Sequence, residues 1–325
     1  MIKRMQGNSN PGFDRSLAGS LSDKGVSRVV SFKSYFEALK EEAVFQIRKK
    51  RLEYQFFRRM GYWFDLKNPV TYEEKRQYRK IFGNYPFYGQ FADKYKVREY
   101  VREMGFEENL VPLLGVFDRL EPGLFRSLPK SFIIKTTHSS KWNRIVYDKE
   151  KEDESEIIKY INGFLGKRYS KNCKEYHYDF IKPRVLIEEL LFDDGNLPWD
   201  YNYFCFHGSK VFFHDLYVAS PDHKKKARFR SDWTCFESNL SEEEMAKYAD
   251  PPNSGRMAEM AQKLSNIFDF ARIDLYNIGG KIFFGEITLT PGGVPNPTGN
   301  VQRSEMLGRM WKLDRDNRLL YSRKP

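Results

Sequence analysis

The 325 residues, 40% hydrophobic, 16% aromatic and 30% charged, describe a globular chain with a sizeable core, long enough for one large α/β unit or two to three lobes. Collagen, coiled coil and wholesale disorder are excluded; with no run of ~18 uninterrupted apolar residues and no apolar core after Met1-Ile2-Lys3-Arg4, neither a membrane span nor a signal peptide is expected, which points to the cytoplasm. The net charge of +11 is uneven, with 22 Lys/Arg against 12 Asp/Glu in residues 1–105 and 33 against 32 in the rest, so the basic excess that attracts nucleic acid, anionic lipid or anionic substrate belongs to one end.

Residues 1–30 are rich in Ser, Gly and Asn with few large apolar side chains. Burial there cannot offset the entropy of ordering, and a flexible arm is expected over residues 1–34. A mainly helical region is expected over 35–130. Between Tyr35 and Met60, Phe36, Leu39, Ala43, Phe45, Ile47, Leu52, Phe56 and Met60 recur near helical spacing, while Arg48-Lys49-Lys50-Arg51 and Arg58-Arg59 supply charge. This predicts an amphipathic helix or two, which either cover a core or lie on an anionic membrane surface. Asn68-Pro69 ends the pattern. A helix is predicted from Tyr72 to Phe82, and another from Asp93 to Met104 carrying Lys94, Lys96, Arg98 and Arg102.

After Pro129 the texture changes to short β-type runs: Ser131–Thr137, Arg184–Glu189, Tyr201–Phe206 and Lys210–Phe213, the last two joined by a His207-Gly208-Ser209 turn. Helices are predicted over Glu152–Leu165, opened by an acidic turn, and over Ser241–Phe268. Cys173, Cys205 and Cys235 form no C-x-x-C pair and read as reduced and structural. The sum is α+β, helices first and mixed sheets after.

The segment from Ala271 to Gly293 carries the chemistry. Two alternating runs flank Asn277 to Gly280, which predicts a hairpin. With a three-residue turn at Ile278-Gly279-Gly280, Arg272 stands opposite Glu286 and Asp274 opposite Phe284. One face then collects Arg272, Asp274, Glu286 and Thr288, and the other Ile273, Leu275, Phe283, Ile287 and Leu289. Asp274 and Glu286 become diagonal neighbours at about 7–8 Å, a gap two carboxylates close on a shared cation such as magnesium. The plainer alternative is an Arg272–Glu286 cross-strand ion pair. Lys135 ends an apolar strand and precedes Thr136-Thr137-His138-Ser139-Ser140, where a lysine reaches phosphate as a point charge. It is equally the pattern of an ordinary strand-end turn.

In this order the pieces resemble an ATP-grasp enzyme, and more closely the TupA-like ATP-grasp family associated with teichuronopeptide and other surface-polysaccharide synthesis. The resemblance covers about residues 68–293 and rests on Phe91-Ala92-Asp93-Lys94-Tyr95-Lys96-Val97-Arg98-Glu99-Tyr100-Val101, Phe132-Ile133-Ile134-Lys135-Thr136-Thr137-His138-Ser139, Lys182-Pro183-Arg184-Val185-Leu186-Ile187-Glu188-Glu189, Asp200-Tyr201-Asn202-Tyr203-Phe204-Cys205-Phe206-His207-Gly208 and the paired runs around Asp274 and Glu286. It implies an α+β ATP-grasp fold, with a helical amino-terminal region and two α+β subdomains, 131–192 and 193–325, clasping ATP. By the same resemblance Lys94 and Lys135 are the nucleotide-phosphate lysines, the latter also catalytic. His138, Ser139 and Ser140 belong to the loop over phosphate. Glu188 and Glu189 open the hinge whose backbone at Leu190 and Leu191 meets adenine, Asp200 takes the ribose, Asp274, Glu286 and Thr288 hold Mg2+, and Arg272 steadies the transferring phosphoryl group.

The implied reaction is ATP-dependent ligation of a carboxylate to an amine through an acyl phosphate. The partners implied are a carboxylate-bearing sugar or polysaccharide, an amine or amino acid, and an anionic membrane at the inner face touched by the basic amino-terminal region. Thr290-Pro291-Gly292-Gly293 and the residues to Asn300 border the acceptor site, and His223-Lys224-Lys225-Lys226 with Arg228 and Arg230 either hold an anionic acceptor or are solvated. The chain departs from the family at His138-Ser139-Ser140-Lys141-Trp142-Asn143, where relatives have a glycine-bearing loop; losing glycine restricts positive-φ conformations. A degenerate, non-catalytic copy is one alternative. A sugar-nucleotide glycosyltransferase using Asp193-Asp194 is another. A polyanion-binding protein is a third, although no nucleic-acid motif is present and no nucleic-acid partner is expected.

Overall fold

The computed structural model describes residues 32–207, 213–292 and 301–325. The expected arm up to residue 31, the Gly208-Ser209 turn with the start of its second strand, and the Gly293–Asn300 segment lie outside the described residues. The chain divides into two units, residues 1–47 and 48–325. In the first, the described residues belong to helix α1 (Phe32–Met60), and Tyr35, Phe36, Leu39 and Ile47 are exposed. Residues 32–34, expected in the arm, are helical, and the expected helix or two is one.

In the second unit α1 continues, burying Leu52 and Phe56. Helix α2 (Tyr72–Phe82) has the predicted bounds because Thr71 and Glu74 form a reciprocal capping box and Gly83 ends it. Helix α3 (Tyr85–Ala92) starts at Asn84, whose side chain accepts from Phe87 N. The helix expected over Asp93–Met104 is shorter, α4 (Val97–Glu103). Asp93 Oδ1 accepts from Tyr95 N at 2.9 Å and Lys96 N at 3.2 Å, so a side-chain-bonded turn holds Lys94 ahead of α4.

Four antiparallel strands, β1 (Leu113–Phe117), β2 (Phe132–Thr136), β3 (Asn143–Val146) and β4 (Val185–Glu189), form a sheet in the order β1-β4-β2-β3. Strand β1 was not anticipated and comes from the region read as mainly helical. Helix α5 (Glu154–Leu165), capped by Asp153, lays Ile157, Ile158 and Ile161 on Phe132, Ile134 and Val146. The single-turn helix α6 (Ser170–Cys173) and a short 3-10 segment, Tyr176–Phe180, lead to β4.

The larger sheet contains β5 (Asp200–Phe206), β6 (Phe213–Ala219), β7 (Lys226–Phe229), β8 (Cys235–Ser238), β9 (Phe270–Ile278) and β10 (Lys281–Thr288), in the order β10-β9-β5-β6-β7-β8. The single helix expected over Ser241–Phe268 is two, α7 (Glu242–Tyr248) and α8 (Ser254–Ser265). Pro251-Pro252 stand between them, where two missing N–H donors and fixed φ end a helix. Helix α9 (Val301–Met310) packs with Tyr72, Phe204, Phe206, Phe270, Leu307 and Trp311 in one apolar cluster.

Inside this cluster lies a fully buried arginine. Arg79 of α2 pairs with Asp269 and donates to Phe270 O at 2.7 Å and Leu289 O at 2.9 Å, with Trp311 4.4 Å from its guanidinium. Asp269 also accepts from Asp314 N at 2.9 Å and Tyr321 OH at 2.8 Å. The pair therefore fixes the first residue of β9 and the residue after β10. Arg79→Ala leaves Asp269 and two carbonyls without their charge partner; urea denaturation is expected to find stability lower by about 3–5 kcal/mol, and a loss below 1 kcal/mol would contradict this role.

Candidate active site

The β9–β10 hairpin differs from the expected register in two ways. Its turn is the two-residue Gly279-Gly280, at φ 56° and 86°, so Ile278 pairs with Lys281. A bulge then follows at Gly285, after which Asp274 faces Glu286, Ile273 faces Ile287 and Arg272 faces Thr288. The expected pairs Arg272–Glu286 and Asp274–Phe284 are thus corrected, while the expected shared face is kept. Gly285 is required at the bulge, since a Cβ there would stand 2.9 Å from Asp274 O.

Arg272 occupies the centre of this face. Its Nε donates to Asp274 Oδ1 at 2.7 Å, and its Nη2 to Asp274 Oδ2 at 2.5 Å, Glu286 Oε1 at 2.8 Å and Thr288 Oγ1 at 3.2 Å. Thr288 Oγ1 donates to Glu286 Oε1 at 2.6 Å. Burial raises the Asp274 carboxyl well above its ordinary range, and Glu286 reinforces the shift against Arg272. For Glu286, burial works upward but is outweighed by Arg272 and Lys94, and its carboxyl is held at about 2. Among the described residues no group of three or more His, Cys, Asp and Glu forms a metal cage. The set present, two carboxylates and a hydroxyl, is hard oxygen and suits magnesium completed by phosphate oxygens and water.

The lysines named from the sequence meet this face through electrostatics. Lys94 donates to Ser139 O; burial lowers its pKa, Glu286 opposes the shift and Lys135 adds to it. Lys135 Nζ donates to Glu188 Oε2 at 2.8 Å, and Arg98 Nη1 donates to Glu188 Oε1 at 2.7 Å while its Nη2 reaches Val111 O at 2.8 Å. Glu188 is therefore a buried bridge between α4 and the β2 lysine. A cleft of about 240 Å³ is lined by Lys135, Glu189, Leu190, Leu191 and Asp200, with Ile133 and Tyr276 among its apolar walls. Burial raises Asp200 to about 6, with His223 and Arg272 pulling it down and Glu286 pushing it up.

Other side chains singled out from the sequence are engaged elsewhere. His138 Nε2 bonds Phe164 O at 3.2 Å, Ser139 Oγ bonds Thr136 Oγ1 at 2.7 Å, and Ser140 Oγ bonds Tyr169 OH. Of the three, the structure connects Ser139 to Lys94, through its carbonyl. Asp193 and Asp194 are both tied to Lys247, at 3.7 and 2.8 Å. Arg228 pairs with Glu237 at 3.1 Å and stacks on Tyr217. Sequence reading missed the roles of Arg98, Tyr276, Glu175 and His177; Arg98 lay within a matched segment, whereas nothing periodic marks the 3-10 stretch of His177.

A family model described as TupA-like ATPgrasp matches residues 74–312. Among curated proteins no match is found. Solved structures similar to the chain include D-alanine–D-alanine ligase from Helicobacter pylori, 18% identical over 68% of this chain and 61% of that one, TM-score 0.41. Another is D-alanine–D-alanine ligase from Bacillus anthracis complexed with ATP, 15% identical over 70% of this chain and 66% of that one, TM-score 0.39. The chain thus spans about three-fifths to two-thirds of the length of these ligases.

Asp200 binds its proton more tightly folded than unfolded, so its favourable contribution is complete below its unfolded pKa near 4 and is lost as pH rises through about 6. Between pH 4 and 7 the wild type is expected to lose about 2–3 kcal/mol that Asp200→Asn keeps. Urea denaturation of both proteins at the two pH values reads the difference, and parallel profiles would contradict the assignment.

Proposed function

The chain belongs to the TupA-like ATP-grasp family, and from that membership we propose that it is an ATP- and magnesium-dependent ligase joining the amine of an amino acid or other amine to a carboxylate of a cell-surface polysaccharide or its sugar precursor. Its α+β architecture, with a four-stranded and a six-stranded antiparallel sheet, is the ATP-grasp fold. On this reading residues 131–192, joined by β1, form the lid over ATP and 193–325 the subdomain with the metal face.

One observation supports the reading above the others: Lys94 interacts electrostatically with both Lys135 and Glu286, Glu286 with Asp274, and Lys135 lines an apolar-walled cleft. Leu190 and Leu191 would border the base, Asp200 would accept from ribose hydroxyls, and Glu189 would sit at the cleft edge. Lys94 and Lys135 would meet phosphate oxygens, with Arg98 and Glu188 fixing Lys135 in place. Asp274, Glu286 and Thr288 would hold magnesium, which would neutralise phosphate charge. A substrate carboxylate oxygen attacks the γ-phosphorus and ADP leaves; the amine nitrogen then attacks the acyl carbon, releasing phosphate and a proton and leaving an amide. Such transfer asks the protein for positioning and charge neutralisation, which Arg272 and the lysines provide without a nucleophilic side chain.

The glycosyltransferase alternative depended on Asp193 and Asp194, whose pairing with Lys247 favours a turn. The basic excess of residues 1–105 is read as peripheral contact with an anionic membrane on the cytoplasmic side. Phosphate release is expected only when ATP, magnesium, a uronic acid or sugar nucleotide bearing a carboxylate, and an amine are all present. Lys135→Ala is expected to weaken MgATP binding at least tenfold by calorimetry, and Glu286→Gln to remove its magnesium dependence. Magnesium-independent binding by the wild type, or no release across a panel of uronic acids and amino acids, would overturn the proposal.

A further inference from the structure

Sharing no lining residue with the nucleotide cleft, a smaller cavity of about 30 Å³ is bordered by Lys94, Glu175, His177, Glu286, Thr288 and Thr290. Glu175 is 8% exposed and accepts from Thr290 Oγ1 at 2.5 Å. His177 is 6% exposed, and among the described residues its ring makes no hydrogen bond. Burial pushes this imidazole down to about 4, so it is neutral at physiological pH, with one N–H and one lone pair. A buried polar ring facing a cavity without a protein partner marks a place where a bound group supplies the partner.

The chemistry of the lining identifies that group. Acceptors dominate: two carboxylates, an imidazole lone pair and two hydroxyls. The cationic groups at hand each donate to a backbone carbonyl, Lys94 to Ser139 O and Lys80, which acts electrostatically on Glu175, to Cys173 O at 3.2 Å. A primary ammonium offers three donors and no acceptor. The volume suits one head group about the size of a water molecule rather than a whole amino acid.

We propose that this cavity receives the ammonium head of the amine substrate, with Glu175 as its charge partner and the His177 ring as a further acceptor. That the ammonium belongs to a substrate rests on the ligase reading; the cation site itself does not. The placement sets the amine beside Glu286, where phosphoryl chemistry is proposed, and selects a primary amine over an alcohol or a thiol, which bring no positive charge to Glu175.

Thallium(I), close to ammonium in size, is the probe. Crystals of the full chain soaked in thallium(I) acetate are expected to give one anomalous peak between Glu175 and His177, lost in Glu175→Gln and weakened in Thr290→Val. The second variant and the wild type decide the matter if Glu175→Gln does not fold. Water or an anion in the wild-type cavity, or a peak unchanged by both substitutions, overturns the inference. Calorimetry of MgATP on the same proteins separates the two claims: binding of MgATP without a thallium site removes the amine site and leaves the ligase reading, and thallium without MgATP does the reverse.

Discussion

Two carboxylates facing each other across one ribbon repel, and the fold around the candidate site is organised by that constraint. At about 4 Å and an effective dielectric near 20, such a repulsion is of order 4 kcal/mol, so the pair needs a cation or a proton between its members. Arg272 is that cation: it lies on the same face as Asp274, and its planar fork reaches both acids and Thr288 at once. The two-residue turn and the bulge at Gly285 together replace the expected diagonal relation by direct opposition, which sharpens the constraint. On the proposed reading a divalent ion would share these oxygens with the guanidinium.

Buried ion pairs elsewhere hold this face in place. Arg79 and Asp269 join α2 to the open end of the ribbon, where β9 begins and β10 ends, and Arg98 and Glu188 join α4 to Lys135. Desolvation makes such pairs poor contributors to net stability, but a fork bonded to two strands leaves little freedom in where those strands lie. On the proposed ligase reading, rigid placement of charge ahead of reaction is the main requirement, and the pairs would serve it through geometry more than through stability.

Elements whose signals are local were legible in the sequence. Helix α2 was bounded by its capping box, and β2, β4 and β5 by β-branched and aromatic runs between turn residues. The shared face of Arg272, Asp274, Glu286 and Thr288 followed from alternation, yet its register did not, because two errors added: a turn read one residue too long and a bulge that only the close approach of Gly285 to Asp274 reveals. Strand β1 was missed because Leu113-Leu114-Gly115-Val116-Phe117 is half-buried throughout and shows no alternation. The Arg79–Asp269 pair joins residues 190 apart, and no local pattern announces it. Glu175 and His177 stayed hidden for a related reason: a short 3-10 segment has no periodicity to separate a buried side from an exposed one.

The glycine-poor loop shows how composition and conformation trade. Glycines in a phosphate-covering loop supply left-handed backbone and freedom, but no residue from His138 to Asn143 is among the positive-φ positions of the described residues. In their place the loop has an aromatic anchor: Trp142 stacks on Phe164 at 4.7 Å and 12°, and meets His138 and Tyr169 edge-on at 5.4 and 5.2 Å. Contacts of this kind contribute about 0.5–1.5 kcal/mol each, so moving the loop alone costs several of them together. Phe164 belongs to α5, which packs on the four-stranded sheet. Moving loop, helix and sheet as one body keeps the Phe164 and His138 contacts, and the aromatic anchor therefore couples the loop to the four-stranded lobe.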